Sequence, residues 1–470
     1  MYFSSMIFLW LFLPITLFIY LLARHIGKIS WGNTVLVLAS ILFYSWGEPV
    51  YIFLLIFSVA VNYFFGLLLG TKKYHNRWIV TGAFVFNIGL LGIFKYYDFF
   101  ADCGNKILGK EIFQLRELAL PLGISFYTFQ IMSYVIDVYR KEVDVQKNFL
   151  HLLLYVSLFP QLVAGPIVKY KDIQAQILER EENYEKRVYG IKRFIYGLGK
   201  KVLLSNVLGK YVDAVLELPL EQISTGLMWL TMVMYAFQIY YDFSGYSDMA
   251  IGLGAMFGFN FKENFSYPYI AKSIREFWRR WHISLSTWFR EYVYIPLGGN
   301  RKGEVRTYLN LGIVFFLTGF WHGAGLNFIV WGLFHGLFMI LERIGFGKLL
   351  DKNPIKLINH LYVCLVVFCG WVFFRVEDLR GGCVILKNLF WYQKGEYGLQ
   401  SCFNMEIAVI LLVSVLLCGV FQEIVPKLKE IILDKTRIYA LEMAVLFLIF
   451  ILCTISLASD TYNPFIYFRF

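Results

Sequence analysis

Four stretches of this sequence set proton-transferring or anion-binding groups against long apolar runs. The first is Thr318-Gly319-Phe320-Trp321-His322-Gly323-Ala324-Gly325, where a histidine closes one apolar run and small residues lead into the next. On a helix Thr318 and His322 share a face at i, i+4, so the hydroxyl can orient the imidazole. Gly319, Gly323 and Gly325 let a substrate or another backbone come close. A histidine kept neutral by burial can take the proton of a hydroxyl. The competing role is structural, a histidine bonded to a carbonyl where two helices meet; the glycines around it favour chemistry.

The second stretch is Arg279-Arg280-Trp281-His282-Ile283-Ser284-Leu285-Ser286, with Arg290 four residues further on. Arginines in such a cluster can hold phosphates through paired hydrogen bonds, and His282 adds a second acid or base. The plain alternative is a basic surface resting on lipid phosphates. The third, Gln238 to Asp248, places Asp242 and Asp248 among hydroxyls between apolar runs, where they can orient a histidine or a substrate, or satisfy a helix break. The fourth is Trp331-Gly332-Leu333-Phe334-His335-Gly336, in which His335 reads first as a core histidine. No P-loop, HExxH, GxSxG or dinucleotide fingerprint is present. The stretch Gly245-Tyr246-Ser247-Asp248-Met249 lacks the last glycine of a nucleophile elbow. His25, His75, His151 and His360 fall near loops or helix ends and receive no role. The seven cysteines form no CxxC pair, which argues against a disulfide framework or a cysteine-based zinc site.

The elements that must position these groups are membrane helices. At 58% hydrophobic, 19% aromatic and 16% charged residues, with a mean hydropathy of +0.59, the chain departs far from a soluble protein, which carries about 25% charge. An all-α polytopic membrane protein follows, read as one integral membrane domain over 1–470. The net charge of +11 records cytoplasmic loops and anionic headgroups; no nucleic acid is implied. Met1 to Leu22 is apolar before Arg24 and Lys28 appear, the reverse of a secretory signal, and reads as a first span with the N-terminus outside.

About eleven spans of roughly 20 residues are expected. Candidates are 5–23, 33–47, 50–70 and 78–94, with Lys72, Lys73 and Arg77 in one short loop, then 118–139 and 151–168. Pro160, Gly165 and Pro166 make the last of these re-entrant or kinked. Residues 169–187 are a charged surface segment. Further candidates are 190–208, 226–243, 245–261, 308–322, 325–344, 356–374, 405–422 and 440–459. The count exceeds eleven, so some are re-entrant or interfacial. Residues 262–306, mixing arginines with Trp278, Trp281, Trp288 and Phe289, lie along the cytoplasmic face instead of crossing. No internal repeat is visible.

The run from Glu276 to Arg290, then Tyr294-Ile295-Pro296-Leu297-Gly298-Gly299-Asn300-Arg301, then Thr318 to Gly325, resembles the membrane-bound O-acyltransferase (MBOAT) family, and within it the alginate O-acetylation branch. The likeness runs nearly end to end. It takes in Phe3-Ser4-Ser5, Tyr44 to Pro49, Leu120 to Phe126, Leu158 to Pro166, Asp242 to Asp248 and the closing Pro464-Phe465-Ile466-Tyr467-Phe468. It implies about eleven transmembrane helices with re-entrant and interfacial ones around a thin central region. It also implies a catalytic histidine at His322 and a second functional position at His282, where other members carry Asn or Asp. His335 matches a histidine of the same branch.

Acyl transfer from a cytosolic thioester, acetyl-CoA, is the implied activity, with Arg279, Arg280 and Arg290 facing the polyanionic donor. No tightly bound cofactor and no metal is implied. The resemblance further implies an extracytoplasmic SGNH-type acetyltransferase partner, a polysaccharide acceptor outside the membrane, and a bacterial cytoplasmic membrane location. Competing readings are D-alanyl transfer to teichoic acid, a transporter or flippase, for which broken helices are also expected, and a scaffold for a polysaccharide synthase. A transporter should show related halves; a scaffold leaves both histidines without a task.

Overall fold

The computed structural model describes residues 1–71, 76–163, 165–420 and 439–466. Lys72, Lys73 and His75, Ala164 within the Leu158–Pro166 motif, residues 421 and 422 of a candidate span, and Tyr467 and Phe468 of the closing motif lie outside them. Every regular element among the described residues is helical, apart from one isolated bridge between Ile223 and Tyr397. Among the described residues six helices are long and apolar enough to cross a bilayer: Phe8–Ile26, Tyr51–Gly70, Asn76–Leu108, Leu326–Lys352, Lys356–Arg375 and Tyr439–Ser459. Ile29–Ser45 and Met405–Val420 are apolar but shorter.

Several expected spans take other forms, each for a local reason. Leu118–Tyr139 begins as a helix only at Ile124, after Pro121 and after Gly123, whose φ of +74° suits glycine. The segment 151–168 is broken as expected. Phe149–Ser157 ends, and a single turn, Phe159–Leu162, restarts with Pro160 in its first turn, where a missing N–H costs nothing. The two spans expected at 226–243 and 245–261 are one continuous helix, Thr225–Met256. Gly245 does not interrupt it: a Cβ there would lie 2.7 Å from the Gly197 carbonyl oxygen, so the glycine serves close packing. Residues 262–303 hold one 3-10 turn, Pro268–Ile270, and two short helices, Ile274–Arg280 and Ile283–Phe289, followed by a π turn, Arg290–Tyr294, and helix Glu304–His322 begins at the end of the segment.

The chain divides into two compact units, both discontinuous in sequence. The first comprises Met1–Phe194 and Tyr246–Lys262, the second Ile195–Gly245 and Glu263–Phe470. Apolar surroundings oblige the polar groups of the first unit to pair internally. Asn62 and Asn87, both fully buried, exchange reciprocal amide bonds of 3.1 and 2.7 Å between Tyr51–Gly70 and Asn76–Leu91. Arg180, with its side chain 1% exposed, donates to the Tyr20 hydroxyl at 2.7 Å, the Asn33 Oδ1 at 2.7 Å and the Phe257 carbonyl at 2.9 Å. Glu182 accepts from Tyr20 and Arg24 at 2.7 and 2.9 Å. One guanidinium therefore ties the first two apolar helices to the end of Thr225–Met256.

Removing one member of a buried charged set strands the others and costs about 3–5 kcal/mol. Arg180→Ala is therefore expected to lower the melting temperature in detergent sharply and to broaden the size-exclusion peak. An unchanged melting curve would contradict the hub.

Candidate functional site

His322 and His282 lie in the second unit, and the structure brings them together. His322 is the last residue of helix Glu304–His322, is 2% exposed, and its ring centroid lies 6.5 Å from that of His282.

Backbone contact places His322. Helix Glu304–His322 packs on Leu326–Leu341 through Gly319 and Gly332: a Cβ on Gly319 would lie 2.3 Å from the Phe328 carbonyl oxygen, and one on Gly332 2.3 Å from that of Phe315. A Cβ on Gly323 would strike the Phe328 ring at 2.2 Å. The glycines thus admit another backbone and a ring. Aromatic rings close around the imidazole: Trp321 and Trp331 at 4.9 Å each and Phe374 at 5.3 Å, all edge to face. The Thr318 hydroxyl donates to the Val314 carbonyl of its own helix at 2.8 Å, an i−4 bond typical of a helical threonine. It does not orient His322 as the sequence suggested.

His282 occupies the joint between the two short helices, with φ +44° and ψ +55°. Left-handed backbone is costly for most side chains, and Asn, Asp and His are the types enriched there. Asn264 fixes the ring. Its Oδ1 accepts from the Ser284 N–H at 3.1 Å and the Ser284 hydroxyl at 2.8 Å, and lies 3.2 Å from the His282 Nδ1. Because the Ser284 N–H can only donate, that amide oxygen is assigned by its surroundings, so Nδ1 carries the proton and the ring lone pair sits on Nε2. Phe243 meets the ring edge to face at 4.7 Å. Burial pushes the His282 pKa down to about 3, so the ring is neutral at physiological pH.

Glu342 sets the helix that leads into His282. Its carboxylate, 5% exposed, accepts from the Ile274 and Arg275 N–H groups at 2.6 and 3.0 Å, capping a helix N-terminus where negative charge is favoured. Arg280 is held by Glu276 at 2.8 Å and donates to the Ser266 carbonyl at 3.0 Å. Arg279 and Arg290 are exposed, as anion-binding groups would be.

The remaining candidates take other places. His335, fully buried, sits among Phe277, Trp278, Trp331 and Phe334, and neither ring nitrogen bonds to a described residue. It shares Trp331 with His322. Asp242 pairs with Lys201 at 2.6 Å and Asp248 with Arg193 at 2.6 Å; each carboxylate answers a lysine or arginine, not a histidine. Among the described residues no cluster of His, Cys, Asp and Glu has the makings of a metal site. Sequence reasoning missed Asn264, Phe243, Glu342 and Phe374. Only Ser284, two residues from His282, carried a local hint of the hydrogen bonds around that ring.

Comparison with known proteins gives this site a context. The model of the MBOAT, membrane-bound O-acyltransferase, family matches residues 138–376. The chain is 39% identical to the probable alginate O-acetylase AlgI of Pseudomonas putida over the whole of both proteins. It is 36% identical to the peptidoglycan O-acetyltransferase of Helicobacter pylori over 85% of this chain and 81% of that protein. To the teichoic acid D-alanyltransferase of Bacillus subtilis it is 28% identical over 58% of this chain and 70% of that one.

The depressed pKa of His282 has a signed consequence. As pH falls below the ordinary value of about 6.5, the unfolded chain takes up this proton first, so stability drops from there toward pH 3 and is unaffected above. His282→Asn tolerates the left-handed backbone and does not titrate. Its melting temperature is expected to fall less than the wild type's between pH 7.5 and pH 5. Parallel curves would remove the burial argument.

Proposed function

Because the chain belongs to the membrane-bound O-acyltransferase family, and so is a multi-pass membrane O-acyltransferase, we propose that it takes an acetyl group from cytosolic acetyl-CoA and delivers it across the membrane for O-acetylation of an exported or cell-wall polysaccharide. The observation that carries this reading is the pair of buried histidines 6.5 Å apart inside an aromatic enclosure. The names of the alginate and peptidoglycan relatives support acetyl as the group and a polysaccharide as its destination.

In this reaction His322 accepts the proton of the incoming hydroxyl as its oxygen attacks the thioester carbonyl. The C–S bond of the tetrahedral adduct then breaks, and the proton leaves with the CoA thiol. His282, locked with Nδ1–H toward Asn264, keeps its lone pair at Nε2, where it can take up a hydrogen bond from the acyl donor. The exposed Arg279 and Arg290 are the groups for the donor phosphates, with Arg280 beside them tied to Glu276. The location is the bacterial cytoplasmic membrane, with the N-terminus outside. An extracytoplasmic SGNH-type acetyltransferase completes delivery, and it is expected to copurify with this chain from native membranes; repeated recovery of this chain alone would count against it. D-alanyl transfer stands as the second reading because of the D-alanyltransferase relatives, and it differs in using a carrier-protein thioester.

Proton transfer by a positioned group contributes about 10²- to 10⁴-fold. His322→Ala is therefore expected to lose at least about a hundredfold in CoA release from acetyl-CoA per folded molecule. A fully active variant would dismiss His322. Wild-type protein that uses only a carrier-protein thioester would favour D-alanyl transfer.

A further inference from the structure

We propose that residues 460–466 form a strap that completes the acyl-transfer site, clamped in place by Lys201 and Asp242 as positioning residues; this rests on His322 being the proton acceptor. A cavity of about 270 Å³ is walled by the residues that follow that histidine and by a ring that packs on it. It is lined by Ala324 and Gly325, just beyond His322, and by Phe328 and Phe374, and Phe374 meets the imidazole at 5.3 Å. Two other lining residues, Pro464 and Ile466, belong to a stretch that is almost without regular structure after helix Tyr439–Ser459.

Such a stretch cannot satisfy its own backbone and must be held from outside. Lys201 donates to the Pro464 carbonyl oxygen and pairs with Asp242, whose other carboxylate oxygen accepts from the Ile466 N–H at 2.8 Å. The two charged side chains are 2% and 1% exposed. Tyr462 donates to Asp213 at 2.5 Å, and Asp213 pairs with Arg375 at 2.7 Å; both of those residues line the same cavity. Asn206 donates to Asn463 at 3.1 Å, and Lys210 pairs with Asp460. The helix beneath is shaped for the strap as well: a Cβ on Gly209 would lie 2.9 Å from the Tyr462 hydroxyl and 2.6 Å from the Gln238 Nε2.

A buried ion pair is a weak source of stability, and replacing both members with apolar residues is often neutral. What sets this pair apart is that each member also holds a backbone group of the strap, and the strap walls the cavity beside His322. Released, it would leave the approach to that histidine undefined, and an error of about 1 Å in such a site can cost a hundredfold.

The test is the full-length double variant Lys201→Met/Asp242→Leu, which leaves no unpaired buried ion. Expected are a wild-type melting curve and acetyl-CoA KM, a kcat for O-acetylation lower by about tenfold or more, and loss of hydrogen-exchange protection at the Ile466 amide. Lys201→Met/Asp242→Asn, which retains an acceptor for that amide, should regain part of both. A double variant with wild-type kcat, or with activity lost only in step with folded protein, overturns the proposal. Should the wild type consume no acetyl-CoA, the donor reading fails separately. Exchange at Ile466 then decides the clamp, equal protection in wild type and variant overturning it.

Discussion

How closely two helix backbones can approach governs the position of His322. Glu304–His322 and Leu326–Leu341 meet where both carry glycine, and each glycine faces a carbonyl oxygen that a Cβ would strike at 2.3 Å. In an apolar medium helices gain little from the hydrophobic effect, so small residues that admit close van der Waals contact decide where they lock. The contact also stops the first helix at a defined place. Gly323 leaves it in extended conformation with the Phe328 ring filling the space its side chain would take, and so the last helical residue, His322, faces Trp331 and Phe374.

The same medium sorts the ionisable groups by their partners. Buried Arg180, Lys201, Asp242 and Glu342 meet opposite charges, backbone groups or both, and through these bonds each fixes an element: helix ends in the first unit, the strap, the short helix before His282. The histidines are packed chiefly by rings instead. A neutral imidazole tolerates an aromatic wall that a carboxylate or guanidinium would not.

This division explains what could be read from the sequence. His322 with its glycines, His282 with its arginines and the break at Pro160 depend on neighbours within a turn or two, and local spacing displays them. Asp242 was equally visible as a buried carboxylate, but its partners were not: the Ile466 amide lies 224 positions away. The Glu342 cap is 68 residues from the N–H it serves, and nothing in a single sequence marks such a pair. The glycine at 245 misled for the opposite reason. Read locally it ends a span; in three dimensions it lets a long helix pass a carbonyl.

The left-handed residue at 282 connects fold to chemistry. A position with φ +44° accepts few residue types, and those it accepts best after glycine, Asn, Asp and His, are all polar and short enough to turn back on their own backbone. The joint between the two short helices thus selects for a hydrogen-bonding side chain before any catalytic demand is made, and histidine is the one of the three that stays uncharged when buried and still carries a basic nitrogen. With Asn264 holding Nδ1–H, the backbone strain, the tautomer and the 6.5 Å spacing to His322 form one arrangement.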